Sequence, residues 1–141
     1  MNDLSQIPPL VGVLGLLVSF VIYAIVRSYD PGTDALKKIA DAIHEGAMVF
    51  MRREYSMLSM FAVVLLIGIY FTDGLGPKTA IAFLAGALSS MLAGWFGMYT
   101  ATQANVRTTT AAHNSGQAAA LSVAFFGGSI MGLAVASLGL M

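Results

Sequence analysis

Polar chemistry in this chain has few places to reside. The densest cluster is TATQANVRTTTAAHNSGQ, residues 100–117, which holds amides, hydroxyls, His113 and a single certain charge, Arg107. Within it, His113-Asn114-Ser115-Gly116 offers a base beside a hydroxyl. Adjacent residues rarely aim their side chains at one another, and no third group orients the base, so nucleophilic catalysis is not expected there. The other histidine, His44, sits beside Glu45 and reads as a solvated surface position. The carboxylates are Asp3, Asp30, Asp34, Asp41, Glu45, Glu54 and Asp73. Asp30, Asp34 and Asp41 share a segment, and Asp30 and Asp34 stand four apart across the Pro31-Gly32 turn, but they form no close cluster of the D-x-x-x-D kind that would hold Mg2+ against phosphate oxygens. Asp34, beside Thr33, is explained by helix capping. No phosphate-binding glycine loop, dinucleotide fingerprint or H-E-x-x-H motif occurs. The residues themselves therefore nominate no catalytic, cofactor-binding or metal-binding position.

The elements that would carry these residues are membrane helices. The chain is 57% hydrophobic and 10% charged, with a mean hydropathy of +0.80. Soluble domains carry about 25% charged residues. Four runs approach or exceed the roughly 17–25 residues that span a bilayer. They lie at about 10–26, 55–71, 79–101 and 118–141. The expected fold class is all-α, with four transmembrane helices forming part of a larger membrane bundle. A formal net charge of zero gives no case for a nucleic-acid partner. The absence of cysteine excludes disulfides and thiolate metal sites. The N-terminal MNDLSQIPPL carries Asp3 and no basic residue, unlike a secretory leader.

Charge sets an orientation. Arg27, Lys37, Lys38, Arg52 and Arg53 fall between the first two runs and Arg107 between the last two, while only Lys78 falls between the second and third. Six of the seven basic residues thus share one side. The positive-inside rule makes that side cytoplasmic, with polar loops 27–54 and 102–117 there and the N-terminus outside. The first connection is structured. Asp30-Pro31-Gly32 signals a turn, Thr33 is a good N-cap, and about 34–54 reads as a cytoplasmic amphipathic helix continuing into the second span. Its apolar face holds Leu36, Ile39, Ile43, Ala47 and Phe50.

Small residues mark the third and fourth spans. Ala85, Ser89, Ala93 and Gly97 recur at four-residue steps, as do Ala120, Ala124, Gly128, Gly132 and Ala136. Such stripes let helices approach closely in lipid. Spans three and four should therefore have crowded protein neighbours, and spans one and two should face lipid more. No Asp, Glu, Lys, Arg or His lies in the core of any span. Proton relays and coupling sites within a bilayer use such residues. That absence disfavours a small self-contained four-helix carrier, and leaves a non-catalytic structural or assembly subunit as an alternative function.

Three runs carry a family resemblance: GAMVFMRREY (46–55), AIAFLAGALSSMLAGWFGMYTATQANVRTTTAA (80–112) and GQAAALSVAFFGGSIMGLAVASLGLM (116–141). In this order they resemble the N-terminal part of the membrane-bound, ion-pumping inorganic pyrophosphatases. The resemblance implies a homodimeric, polytopic pump that hydrolyses pyrophosphate at a cytoplasmic Mg2+ site and moves H+ or Na+ outward. A K+ requirement varies within that family. The chain would supply about its first four transmembrane helices and contact lipid and the remaining helices. The acidic substrate motifs and gate carboxylate of the family have no counterpart here, so the segment alone is expected to be inactive. Within that reading Asn105, Arg107 and Thr108 are the residues to weigh. Arg107 either helps position the cytoplasmic face around the catalytic funnel or simply anchors the loop. In the second case Asn105 and the threonines would cap adjoining helix ends.

Overall fold

Two prolines, Pro8 and Pro9, stand in the first turn of α1 (Ile7–Ser28), where their missing N–H groups cost nothing. This computed structural model describes residues 6–72, 74 and 76–141, so Asp3 and Asp73 lie outside the described residues. Arg27 occupies the last turn of α1, complementing the helix dipole. The chain then turns at Gly32, whose N–H donates to Asp30 Oδ1 at 2.8 Å and whose φ is +83°. Thr33 caps α2 (Asp34–Phe71) by accepting from the Leu36 N–H at 3.5 Å, and Lys37 pairs with Asp34 across one turn.

α2 runs unbroken for 38 residues through Arg52, Arg53 and Glu54. The amphipathic helix and the second apolar run are therefore one element. At 1.5 Å per residue it is about 57 Å long, roughly twice a hydrocarbon core. α3 (Gly76–Ser115) is longer still, at 40 residues, and α4 (Gln117–Leu140) follows. All four helices are long and apolar enough to cross a membrane.

The polar stretch at 102–117, expected as a loop, is mostly helix. α3 continues through Ser115 and the break shrinks to Gly116 at φ +82°. The cause is local. Thr108, Thr109 and Thr110 each donate a hydroxyl hydrogen bond back to the carbonyl four residues earlier, at 3.0–3.1 Å. Their polar atoms are thus satisfied along the helix itself. No proline or glycine interrupts the run before Gly116, where only glycine adopts the backbone conformation without strain.

Packing follows small residues, on the expected face of α3 at Ala93 and Gly97 but not on the expected face of α4. α4 lies between α1 and α3, while α2 rests on α3 alone. Val26, Ala104 and Ile130 form the core, flanked by Ile22, Tyr23, Phe96 and Phe126. The buried face of α4 is Val123, Gly127, Ile130, Ala134 and Ser137. The stripe Ala124–Gly128–Gly132–Ala136 is exposed in this chain, and nothing lies within 4 Å of a Cβ placed on Gly128 or Gly132. α1 is not a lipid-facing outlier. Its Gly12 and Gly15 back onto Ser137, and the Ser19 hydroxyl donates to the Ile130 carbonyl at 3.0 Å in the interior. α2 behaves as expected, since none of its most apolar window is buried. In its polar half Leu36, Ala40, His44, Ala47 and Met51 turn inward, whereas Ile39, Ile43 and Phe50 remain exposed.

These contacts separate two neighbouring glycines. A Cβ on Gly127 would meet the Ala104 Cβ at 2.5 Å, whereas one on Gly128 meets nothing. Gly127→Leu should destabilise the 141-residue chain by about 1–3 kcal/mol through overpacking. Gly128→Leu should leave it unchanged or slightly more stable, because leucine is the better helix former. Thermal unfolding of both variants in detergent checks this, and equal midpoints would refute the placement of α4.

Candidate functional site

The antiparallel arrangement of α2 and α3 sets their polar halves side by side. The C-terminus of α1 and the N-terminus of α4 meet at the same end. Contacts across this end include Gly32 against Thr110 and His44 against Thr102. All the candidate residues of the sequence lie here, but they do not converge.

Arg107 faces inward. It is 8% exposed, on the buried side of α3 with Thr100, Ala104 and Thr110. Nη1 donates to the Gln103 carbonyl at 2.7 Å and to Gln103 Oε1 at 3.3 Å. Its Nε is buried with no hydrogen-bond partner. Two small cavities flank it. One of about 140 Å³ is lined by Tyr29, Asp30, Thr110, Asn114 and Ala119, and one of about 80 Å³ by Pro31, Lys37, Asp41 and Gln103. Neither Asp30 nor Asp41 reaches it, for the one ion pair among the described residues joins Lys37 and Asp34. Loss of water, reinforced by the charge of Arg27 and opposed by Tyr23, pushes the Arg107 guanidinium below its ordinary value. Arginine stays protonated all the same, so the site contains a buried cation whose counter-charge is absent. Arg27 itself is exposed and lies 6.0 Å from the centre of the Tyr23 ring.

Asn105 points elsewhere. It is exposed and lines an apolar pocket of about 150 Å³ with Leu36, Ile39, Ile43, Val106 and Thr109, between α2 and α3. Thr108 is half-buried and spends its hydroxyl on the Ala104 carbonyl. Because residues 105–110 lie inside α3, neither residue caps a helix end.

His44 departs from the expected solvated position. It is half-buried, with Nδ1 at 2.7 Å from Thr102 Oγ1 and its ring edge-on to Tyr99. Tyr99 in turn stacks on Trp95. The Thr102 hydroxyl oxygen thus lies between Nδ1 of His44 and the Tyr99 carbonyl, to which it donates at 2.9 Å. This polar clamp between α2 and α3 was legible only if α3 continued past Ala101. Trp95, Tyr99 and Thr102 then fall on one helical face. His113, Asn114 and Ser115 are exposed, and no hydrogen bond joins His113 to Ser115.

Among the described residues no group of three His, Cys, Asp or Glu side chains is placed to hold a metal ion. The described carboxylates therefore do not fit a Mg2+–phosphate centre. The arrangement can orient helices and hold a cation beside a partly open recess, and among the described residues no base is poised against a nucleophile.

The sequence comparisons place this architecture. A family model described as inorganic H+ pyrophosphatase matches residues 13–141. A K+-insensitive pyrophosphate-energised proton pump of Methanosarcina mazei is 40% identical over 141 residues, covering 100% of this chain and 21% of that protein. A second such proton pump, from Moorella thermoacetica, is 40% identical over 139 residues, 99% of this chain and 20% of that protein. A Clostridium tetani protein described as a candidate K+-stimulated pyrophosphate-energised sodium pump is 40% identical over 124 residues, 88% of this chain and 18% of that protein. The chain thus spans about a fifth of the length of the curated relatives it matches. Matched along nearly all of its own length by the family model and by these relatives, the chain belongs to the inorganic H+ pyrophosphatase family.

Proposed function

We propose that this chain is the N-terminal membrane segment of a pyrophosphate-energised pump that moves H+ or Na+ outward, and that it contributes the first four transmembrane helices. The observation that carries this reading is the family match over residues 13–141, set against relatives about five times as long. Hydrolysis of pyrophosphate, and the Mg2+ it uses in this family, belong to the remainder of the protein, because the carboxylates here stand apart. The segment's own work is structural. It builds a close-packed corner from α1, α3 and α4, and it carries the polar halves of α2 and α3 beyond the bilayer. By resemblance to the family, the complete pump is a homodimer.

The same reading puts the polar end of the bundle in the cytoplasm. Six of seven basic residues support this, and all six lie in α2, in the polar half of α3 or in the last turn of α1. The chain lacks cysteine, so single introduced cysteines report sidedness cleanly. In inverted vesicles His113→Cys should react with a membrane-impermeant maleimide, and Lys78→Cys should react only after permeabilisation. The reverse pattern would overturn the orientation.

Function is tested by expressing the full-length pump and the 141-residue segment side by side. The full-length protein should release phosphate from pyrophosphate and drive H+ or Na+ into inverted vesicles. The reconstituted segment should release phosphate at the background rate. A full-length protein that inserts stably but hydrolyses nothing would favour the non-catalytic assembly subunit. Hydrolysis by the segment alone would place a catalytic centre within residues 1–141, against the present reading.

A further inference from the structure

Arg107 is the one described side chain with a buried polar atom that nothing satisfies. Its neutral hydrogen-bonding needs are partly met from its own helix, since both of its hydrogen bonds run from Nη1 to Gln103. What remains is the rest of the guanidinium and its positive charge. A planar guanidinium is a forked donor that matches a carboxylate. Burial of an unpaired cation is strongly unfavourable, and removing it from water further makes it worse. Here the cation is already nine-tenths buried, although the chain represents only about a fifth of its relatives' length.

No described carboxylate forms an ion pair with Arg107. Asp30 lines the larger cavity, but its Oδ1 accepts from the Gly32 N–H and holds the turn between α1 and α2. Asp41 lines the smaller cavity from the exposed side of α2. Neither forms an ion pair with Arg107, and the neighbouring Arg27 adds charge of the same sign. The cavity of about 140 Å³ beside Arg107 is large enough for a carboxylate. Thr110, Asn114 and Ser115 bring polar groups to a lining that is otherwise mostly apolar.

We propose that the recess beside Arg107 receives an Asp or Glu side chain from the remainder of the same polypeptide, which pairs with the Arg107 guanidinium and locks this segment to the rest of the pump. The inference rests on the proposed function, since it requires that remainder to exist. It makes Arg107 a docking residue of the fold, acting through the segment it recruits. It also assigns the recess a partner of definite charge.

The experiment uses the full-length pump, after its pyrophosphate hydrolysis has been measured, so that the functional reading stands or falls separately. In Arg107→Lys protein a carbodiimide joins the introduced amine to any carboxylate in contact with it, and peptide mass spectrometry identifies the pair. The expected product links position 107 to one Asp or Glu outside residues 1–141 within a single subunit. Linkage to Asp30 or Asp41, linkage between two subunits, or no linkage in an active, folded protein would overturn the proposal. Should the lysine variant not fold, Arg107→Met serves instead. It should lower the melting midpoint by several degrees, and neutralising one later carboxylate to its amide should restore it. If no later carboxylate restores the midpoint, the proposal fails by that route as well.

Discussion

Close approach of three helix backbones is the constraint on which everything else in this segment depends. In lipid, apolar side chains gain little by leaving one apolar neighbour for another, so helices cohere through packing and a few hydrogen bonds. α4 meets that requirement on two sides at once. Its Gly127 lies against Ala104 of α3, and its Ser137 lies against Gly12 and Gly15 of α1. Ile130, fully enclosed, fills the seam between them and accepts from Ser19. Hydrogen bonds between membrane helices are worth only about 0.6 kcal/mol on average. Misfitting one side chain into a close-packed seam costs about 1–3 kcal/mol. Shape, more than the Ser19 bond, therefore decides where α1 and α4 sit.

That corner fixes the polar end. α3 extends well past the bilayer thickness, and its last turns carry Arg107 and Thr110 to the place where α1 ends and α4 begins. The interior there is inverted relative to a soluble protein. Threonines and one arginine are buried, while Leu84, Leu88, Leu92 and Trp95 of the same helix are exposed. Large aliphatics pointing outward suit lipid or further apolar helices. A buried guanidinium suits neither. In the proposal above, a carboxylate from the rest of the pump answers that charge.

Much of this was legible in the sequence. The four apolar runs, the Asp30-Pro31-Gly32 turn and the Thr33 cap each rest on local chemistry, and the structure reproduces them. The continuation of α3 was harder to read. A run of threonines looks like a loop until each hydroxyl is seen to bond its own helix. The packed face of α4 was also ambiguous, because Gly127 and Gly128 are adjacent and both belong to small-residue patterns. Which of them packs depends on where Ala104 lies, and that is a tertiary fact. His44 was misjudged for the same reason, since its partner Thr102 lies 58 residues away. The Arg107 recess was half legible. The arginine itself was conspicuous, but its burial follows only once α3 is helical through Ser115.

The unburied surfaces now differ in meaning. On α4 the stripe through Gly128 and Gly132 is narrow, with nothing near a side chain placed there. A narrow helical stripe gains nothing from fluid lipid, but it admits another helix to close range. On α2 the exposed residues are bulky, as in Phe61, Val64 and Ile67. Such a surface is solvated adequately by hydrocarbon. The segment thus has a side built for protein and a side tolerant of lipid, and the unpaired charge of Arg107 lies among α1, α3 and α4 on the polar end. On the proposed reading, a membrane segment with these two sides is shaped to be the margin of a larger bundle.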